Sequence, residues 1–94
     1  MGDKKISDLY QMSQQAIADL KTAIHALLAN GPEEGMTNAE IGRTLGIYQG
    51  HIGHEGHIPR TLLAIMEIEE VVMQNNETKK WTVRSHHEIE NRKR

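Results

Sequence analysis

Residues 37–83 set down a series of signals whose order leaves few folds open. Thr37 stands three residues before Glu40, the capping-box spacing in which a hydroxyl and a carboxylate each satisfy one orphan backbone donor at a helix start. Ala39, Ile41 and Leu45 follow and Gly46 closes the run, so a short helix with Ile41 and Leu45 turned inward is expected. A second apolar run, Leu62-Leu63-Ala64-Ile65-Met66-Glu67-Ile68-Glu69-Glu70-Val71-Val72-Met73-Gln74, reads as a helix passing into a strand. Pro59 marks the first turn of that helix, where a missing backbone donor costs nothing. Asn75-Asn76-Glu77-Thr78-Lys79-Lys80 is then rich in turn formers, and Trp81-Thr82-Val83 is the returning strand. The expected fold is mainly α with a small β-hairpin, an α+β domain.

Composition narrows the chemistry. A chain of 94 residues with 37% apolar content supports one small domain with a modest core and no enzyme-sized buried cavity. With no Phe, one Trp and two Tyr, that core must be built from Leu, Ile, Val, Met and Ala, which suits packed helices. The absence of Cys excludes a disulfide scaffold, a thiolate zinc site and a cysteine nucleophile. No apolar run approaches the roughly 20 residues that cross a bilayer, and Met1-Gly2-Asp3-Lys4-Lys5 lacks an apolar signal core, so no membrane partner and a cytoplasmic setting are expected. No nucleophile–base pair, phosphate-cradling glycine loop or paired carboxylates can be placed. A non-enzymatic chain without a cofactor is the expectation.

Residues 6–29 contain neither Pro nor Gly, and Ile6, Leu9, Ala16, Leu20, Ala23 and Leu27 alternate steps of three and four around a polar gap at Ser13. One long helix, or two abutting ones, follows. Residues 7–15 are polar around most of the circumference, so this part either packs on a partner subunit, giving a homodimer through the N-terminal helix, or frays. Ile17, Leu20, Ile24, Leu27 and Leu28 form one stripe and are expected in the core. Asn30-Gly31-Pro32 ends the helix, with Gly31 suited to the left-handed C-terminal conformation. The expected organisation is an N-terminal helical extension over 1–15, a domain over 16–85 and a basic, disordered tail over 86–94.

In three stretches the chain resembles winged helix-turn-helix domains. Thr37-Asn38-Ala39-Glu40-Ile41-Gly42-Arg43-Thr44-Leu45-Gly46-Ile47 is similar to the family's first helix and turn, residues 62–74 to its recognition helix and first wing strand, and residues 75–83 to the wing turn and second strand. The resemblance covers about half the chain and implies a winged helix-turn-helix with an extra N-terminal helix. It implies further that the start of the second helix, at Arg60 and Thr61, enters the major groove of double-stranded DNA. Residues 53–63 are also similar to DNA-reading modules found beside restriction-type nucleases. A sequence-specific DNA-binding module is therefore expected, as a transcriptional regulator or a DNA-targeting domain. Two departures stand out: Glu70 replaces the glycine frequent before the first wing strand, and residues 48–57 form an insertion between the two helices.

That insertion repeats Gly-His-x three times, from Gly50, Gly53 and Gly56. The glycines permit a loop in which Tyr48, Gln49, His51, His54 and His57 extend the recognition surface. With Thr37, Asn38, Arg43, Arg60, Thr61 and the wing lysines Lys79 and Lys80, they make up the expected DNA-contacting set. A second reading joins His51, His54 and His57 with Glu55 as ligands of a zinc- or nickel-type ion, although the spacing matches no structural zinc motif. A solvated loop is the third. The net charge of −2 runs against phosphate binding, but the balance is uneven. Lys79, Lys80, Arg84, Arg92, Lys93 and Arg94 face only Glu88 and Glu90 from residue 78 onward. A winged-helix protein-interaction module and a metal-responsive regulator are the alternative classes.

Overall fold

The computed structural model describes residues 5–50 and 53–84. Three helices, α1 (Ile6–Asn30), α2 (Asn38–Leu45) and α3 (His57–Ile68), precede an antiparallel hairpin of β1 (Val72–Gln74) and β2 (Trp81–Val83). Each contributes to one core: Ile24 from α1, Ile41 from α2, Leu63 from α3 and Val72 from β1 are fully buried, and Trp81 of β2 closes the cluster. The fold is thus mainly helical with a two-stranded hairpin, as the sequence order requires.

The helix ends follow local chemistry. The Thr37 hydroxyl accepts from the Glu40 backbone N–H at 3.2 Å, and the Glu40 carboxylate accepts from the Thr37 N–H at 2.8 Å. At the other end of α2, Gly46 takes φ 75° while Gly46 N–H donates to Arg43 O and Ile47 N–H to Gly42 O, the paired bonds of a Schellman motif. Helix α3 ends in the same motif, with Glu70 N–H on Glu67 O and Val71 N–H on Met66 O. Here the left-handed position is filled by Glu70 at φ 63°, so the departure in sequence leaves the helix ending as the glycine would have ended it. Pro59 is buried in the first turn of α3.

Several expectations are corrected. Gly31 is extended (φ −94°, ψ −161°) rather than left-handed; its N–H reaches Leu28 O at 3.4 Å and Pro32 stops the helix. Ile17 is 41% exposed, on the wall of an open trough between α1 and α3. Leu45 is only half-buried, and Ile41 alone anchors α2 fully. Of the two readings of residues 6–29, the structure has one unbroken helix; residues 86–94 lie outside the described residues. No described helix is long and apolar enough to cross a membrane.

The sheet has a feature the sequence did not announce. Met36 exchanges two backbone bonds with Trp81, at 2.7 and 3.1 Å, so the segment before α2 lies along the free edge of β2 as a one-residue third strand. Gly35 makes the approach possible, since a Cβ there would meet Trp81 O at 2.3 Å. In the hairpin turn, Asn75 Oδ1 accepts from the N–H groups of Glu77 and Thr78 at 2.8 and 3.0 Å, and Lys79 takes φ 63°.

Two stability predictions follow from the helix ends. Left-handed backbone costs a residue with a Cβ roughly 1–2 kcal/mol, so Glu70→Gly is expected to stabilise by up to about 1 kcal/mol after the extra unfolded-state entropy of glycine. A lower denaturation midpoint for that variant would contradict the assignment. The Thr37 backbone N–H, with its hydroxyl and Lys80 in support, outweighs desolvation and holds the Glu40 carboxyl below its ordinary value of 4.5. A depressed carboxyl contributes stability that is present above the unfolded value and lost as pH falls through the folded one. The margin of the parent chain over Glu40→Gln, in which the cap hydrogen bond survives without charge, should therefore be full above pH 4.5 and shrink below it. A margin that stays constant on acidification would exclude the charge as its source.

Candidate nucleic-acid interface

Gly42 lies inside α2, where glycine costs about 1 kcal/mol relative to alanine, and the reason is a close neighbour. A Cβ at Gly42 would come within 2.9 Å of both Cβ and Cδ1 of Tyr48 and 3.1 Å of Pro59 Cγ. Gly56 forms the opposing wall, where a Cβ would stand 2.7 Å from Tyr48 Cε1 and 2.8 Å from Asn38 Nδ2. The Tyr48 ring is thus seated between two glycines. The Arg43 guanidinium carbon lies 4.7 Å from the ring centroid, a cation–π arrangement at the protein surface. Sequence reasoning passed over Gly42 and Gly56 as a pair; a helix-interior glycine beside an apolar core position was the available signal.

The insertion is closed on itself by backbone. Gly56 N–H donates to Gln49 O at 3.1 Å, and Asn38 Nδ2 donates to Gly56 O at 3.2 Å. Asn38 Oδ1 is buried and meets no donor among the described residues. Gly50, Gly53 and Gly56 take φ values of 139°, 84° and 84°, so the repeat seen in sequence is a repeat of backbone conformations closed to most side chains. Gly50 also lies against His54 O, which a Cβ would approach to 2.4 Å.

Beyond this closed loop the chain exposes its nitrogen-rich groups together. His54 and His57 are exposed, with ring centroids 6.3 Å apart and planes 11° from parallel. Arg60, one turn along α3, brings Nη1 to 3.5 Å from His57 Nδ1. The Glu55 carboxylate is turned back onto Gly53 N–H, with contacts of 3.1 and 3.2 Å. The two rings stack, a guanidinium borders one of them, and no group of three metal-ligating side chains occurs among the described residues. His51 lies outside the described residues.

The remaining expected contacts divide. Thr37 is committed to the α2 cap, and Asn38 and Tyr48 to holding the loop. Gln49 is exposed, although its backbone oxygen is used. Thr61 is exposed but lines an apolar trough against α1 together with Ile17, Leu20, Ile58, Leu62 and Ile65. Lys79 is exposed at the hairpin turn, and half-buried Lys80 acts on the Glu40 carboxyl in the first turn of α2. Glu67, Glu69 and Glu70 gather at the far end of α3, where Glu69 accepts from Lys21 at 2.8 Å.

Comparison with family models, curated proteins and solved structures finds no match to this chain.

The seat of Tyr48 can be weighed against backbone strain alone. Gly53 and Gly56 share φ 84°, yet a Cβ at Gly53 meets nothing within 4 Å. Gly56→Ala is therefore expected to lower stability by about 1–3 kcal/mol more than Gly53→Ala, the usual range for forced overpacking. Equal losses on chemical denaturation would show that Tyr48 swings aside freely.

Proposed function

We propose that the chain is a DNA-binding module of winged-helix type that lays the N-terminal end of α3 in the major groove. The observation carrying this reading is the polarity of α3. His54, His57 and Arg60 are exposed together at its start, with Arg43 over Tyr48 nearby, while Glu67, Glu69 and Glu70 stand at its end. The free N–H groups of a helix start reinforce the attraction for phosphate. An approach from that end alone brings donors to base edges and keeps carboxylates away from the backbone. The order of three helices and a hairpin, with Met36 bridged to the outer edge of β2, also supports the winged-helix reading.

The net charge of −2 opposes binding less than it suggests, because the carboxylates nearest this end are turned onto backbone donors and one at the far end is paired. Glu40 caps α2 and Glu55 accepts from Gly53, while Glu69 at the other end of α3 is paired with Lys21. Arg60 is the residue proposed to read a base or grip a phosphate, with His54 and His57 beside it. Lys79 and Lys80 follow the backbone from the hairpin. Such a module serves a transcriptional regulator or the targeting domain of a larger enzyme.

Fluorescence anisotropy on a pool of duplexes, titrated with salt, tests the reading. Affinity should fall steeply as salt rises. Arg60→Ala should weaken binding about tenfold or more, and Lys79→Ala should weaken it uniformly across sequences while reducing the salt slope by about one. Absence of binding to any duplex at low salt would sink the proposal.

A further inference from the structure

Half of α1 is without cover among the described residues. Helix α1 is 25 residues long and α3 is 12, about 37 Å against 18 Å at 1.5 Å per residue, so α3 can shield only part of it. Ile6 is 85% exposed and Tyr10 65%, and Leu9, Met12 and Ile17 are exposed as well. These residues are not scattered. Ile6, Ser13, Leu20 and Leu27 recur every seven residues, interleaved with Leu9, Ala16 and Ala23, which is the narrow seam of a coiled coil rather than the broader face of a core helix. Farther along α1 the seam residues Leu20 and Leu27 pack against the core. At that junction the seam opens into the apolar trough between Ile17 and Leu20 of α1 and Ile58, Leu62 and Ile65 of α3.

We infer that a second copy of this chain covers the seam, the two α1 helices pairing antiparallel so that the first turn of each reaches the mouth of the other's trough. Charge fixes both direction and register. With Ile6 and Leu9 taken as core positions, Lys5 and Asp19 occupy equivalent flanking positions two heptads apart, and in antiparallel pairing such positions face each other. Setting Lys5 beside Asp19 of the second copy, an attraction that the two-fold axis repeats, places Ile6 beside Ala16, Leu9 beside Ser13 and Tyr10 beside its own copy. A parallel pair would instead hold Lys5 and Asp19 about 21 Å apart along the axis. Seam and trough together leave Ile6, Leu9, Tyr10, Met12, Ile58 and Ile65 exposed, an apolar surface suited to a partner that buries roughly 800 Å² per side. Ser13 and Ala16 at the crossing let the helices approach closely.

The pairing is independent of the DNA reading, because it is measured without duplex. Sedimentation of the full chain at high micromolar concentration should give about twice the single-chain mass of 10.6 kDa. Tyr10→Glu on the free half and Ile58→Lys on the trough, both at exposed positions, should each return the mass to one chain. Since the chain has no Cys, Met12→Cys reports contact directly. It lies next to the two-fold axis and should be joined to its copy by a short bismaleimide, while Ile6→Cys should not. A single-chain mass for the parent at every concentration would overturn the inference, and so would cross-linking through residue 6 instead of 12.

Discussion

Trp81 is the point at which the separate parts of this small domain become one structure. Its backbone N–H and C=O are both spent on Met36, while the other edge of β2 pairs with β1. The segment between α1 and α2 is thereby fixed to the hairpin that follows α3. Its indole fills the space among Ile24, Ile41, Leu63 and Val72, so one residue supplies both the edge that orders the chain and the bulk that closes a core otherwise made of aliphatic side chains. In a core with no Phe, losing that indole leaves a cavity in the shared cluster, and truncations of this kind cost about 3–5 kcal/mol. Gly35 is the steric counterpart of this arrangement, because any side chain there would strike the Trp81 carbonyl.

What could be read from sequence was what local chemistry decides. The Thr37–Glu40 box, Gly46 as a left-handed stop and Pro59 in the first turn of α3 need only residues within one helical turn. Readings that depended on a distant partner fared differently. Ile17 carries the same periodic signal as Ile24, yet Ile17 lines an open trough against α3 while Ile24 is sealed in the core. Met36 gives no strand signal, since a single bridging residue has no periodicity. Glu70 shows tertiary context overriding local preference: the Schellman bonds, with Val71 packed against the core, hold a glutamate where glycine is the easier residue.

The histidine loop illustrates the same division. Three histidines at regular spacing invite a chemical interpretation, but the regularity belongs to the glycines before them, each of which supplies a positive φ. Tyr48 is the peg that holds the loop against α2, seated against two glycines with Arg43 over its ring. Among the described residues the loop and the first turn of α3 leave His54, His57 and Arg60 exposed side by side. This cluster could not be found from spacing alone, because its boundary is set by which neighbours the fold has already used. The Glu55 carboxylate is the clearest case: adjacent to His54 in sequence, it is held by the Gly53 N–H.

Helix α3 carries two surfaces that meet at its first turns. His57 belongs both to the stacked pair and to the wall of the apolar trough, and Thr61 lines that trough one turn later. The first turn of α1 from a second copy, at the mouth of the trough, would therefore border the same end of α3 that is proposed to enter the groove. Such a neighbour would limit the rotamers open to His57 and, through the 3.5 Å contact, those of Arg60. Ordering two long cationic or amphipathic side chains before binding lowers the entropy lost on contact, so pairing and recognition would reinforce one another. Two-fold pairing also relates the two α3 ends by the same axis, and a duplex met by both would carry its half-sites as an inverted repeat.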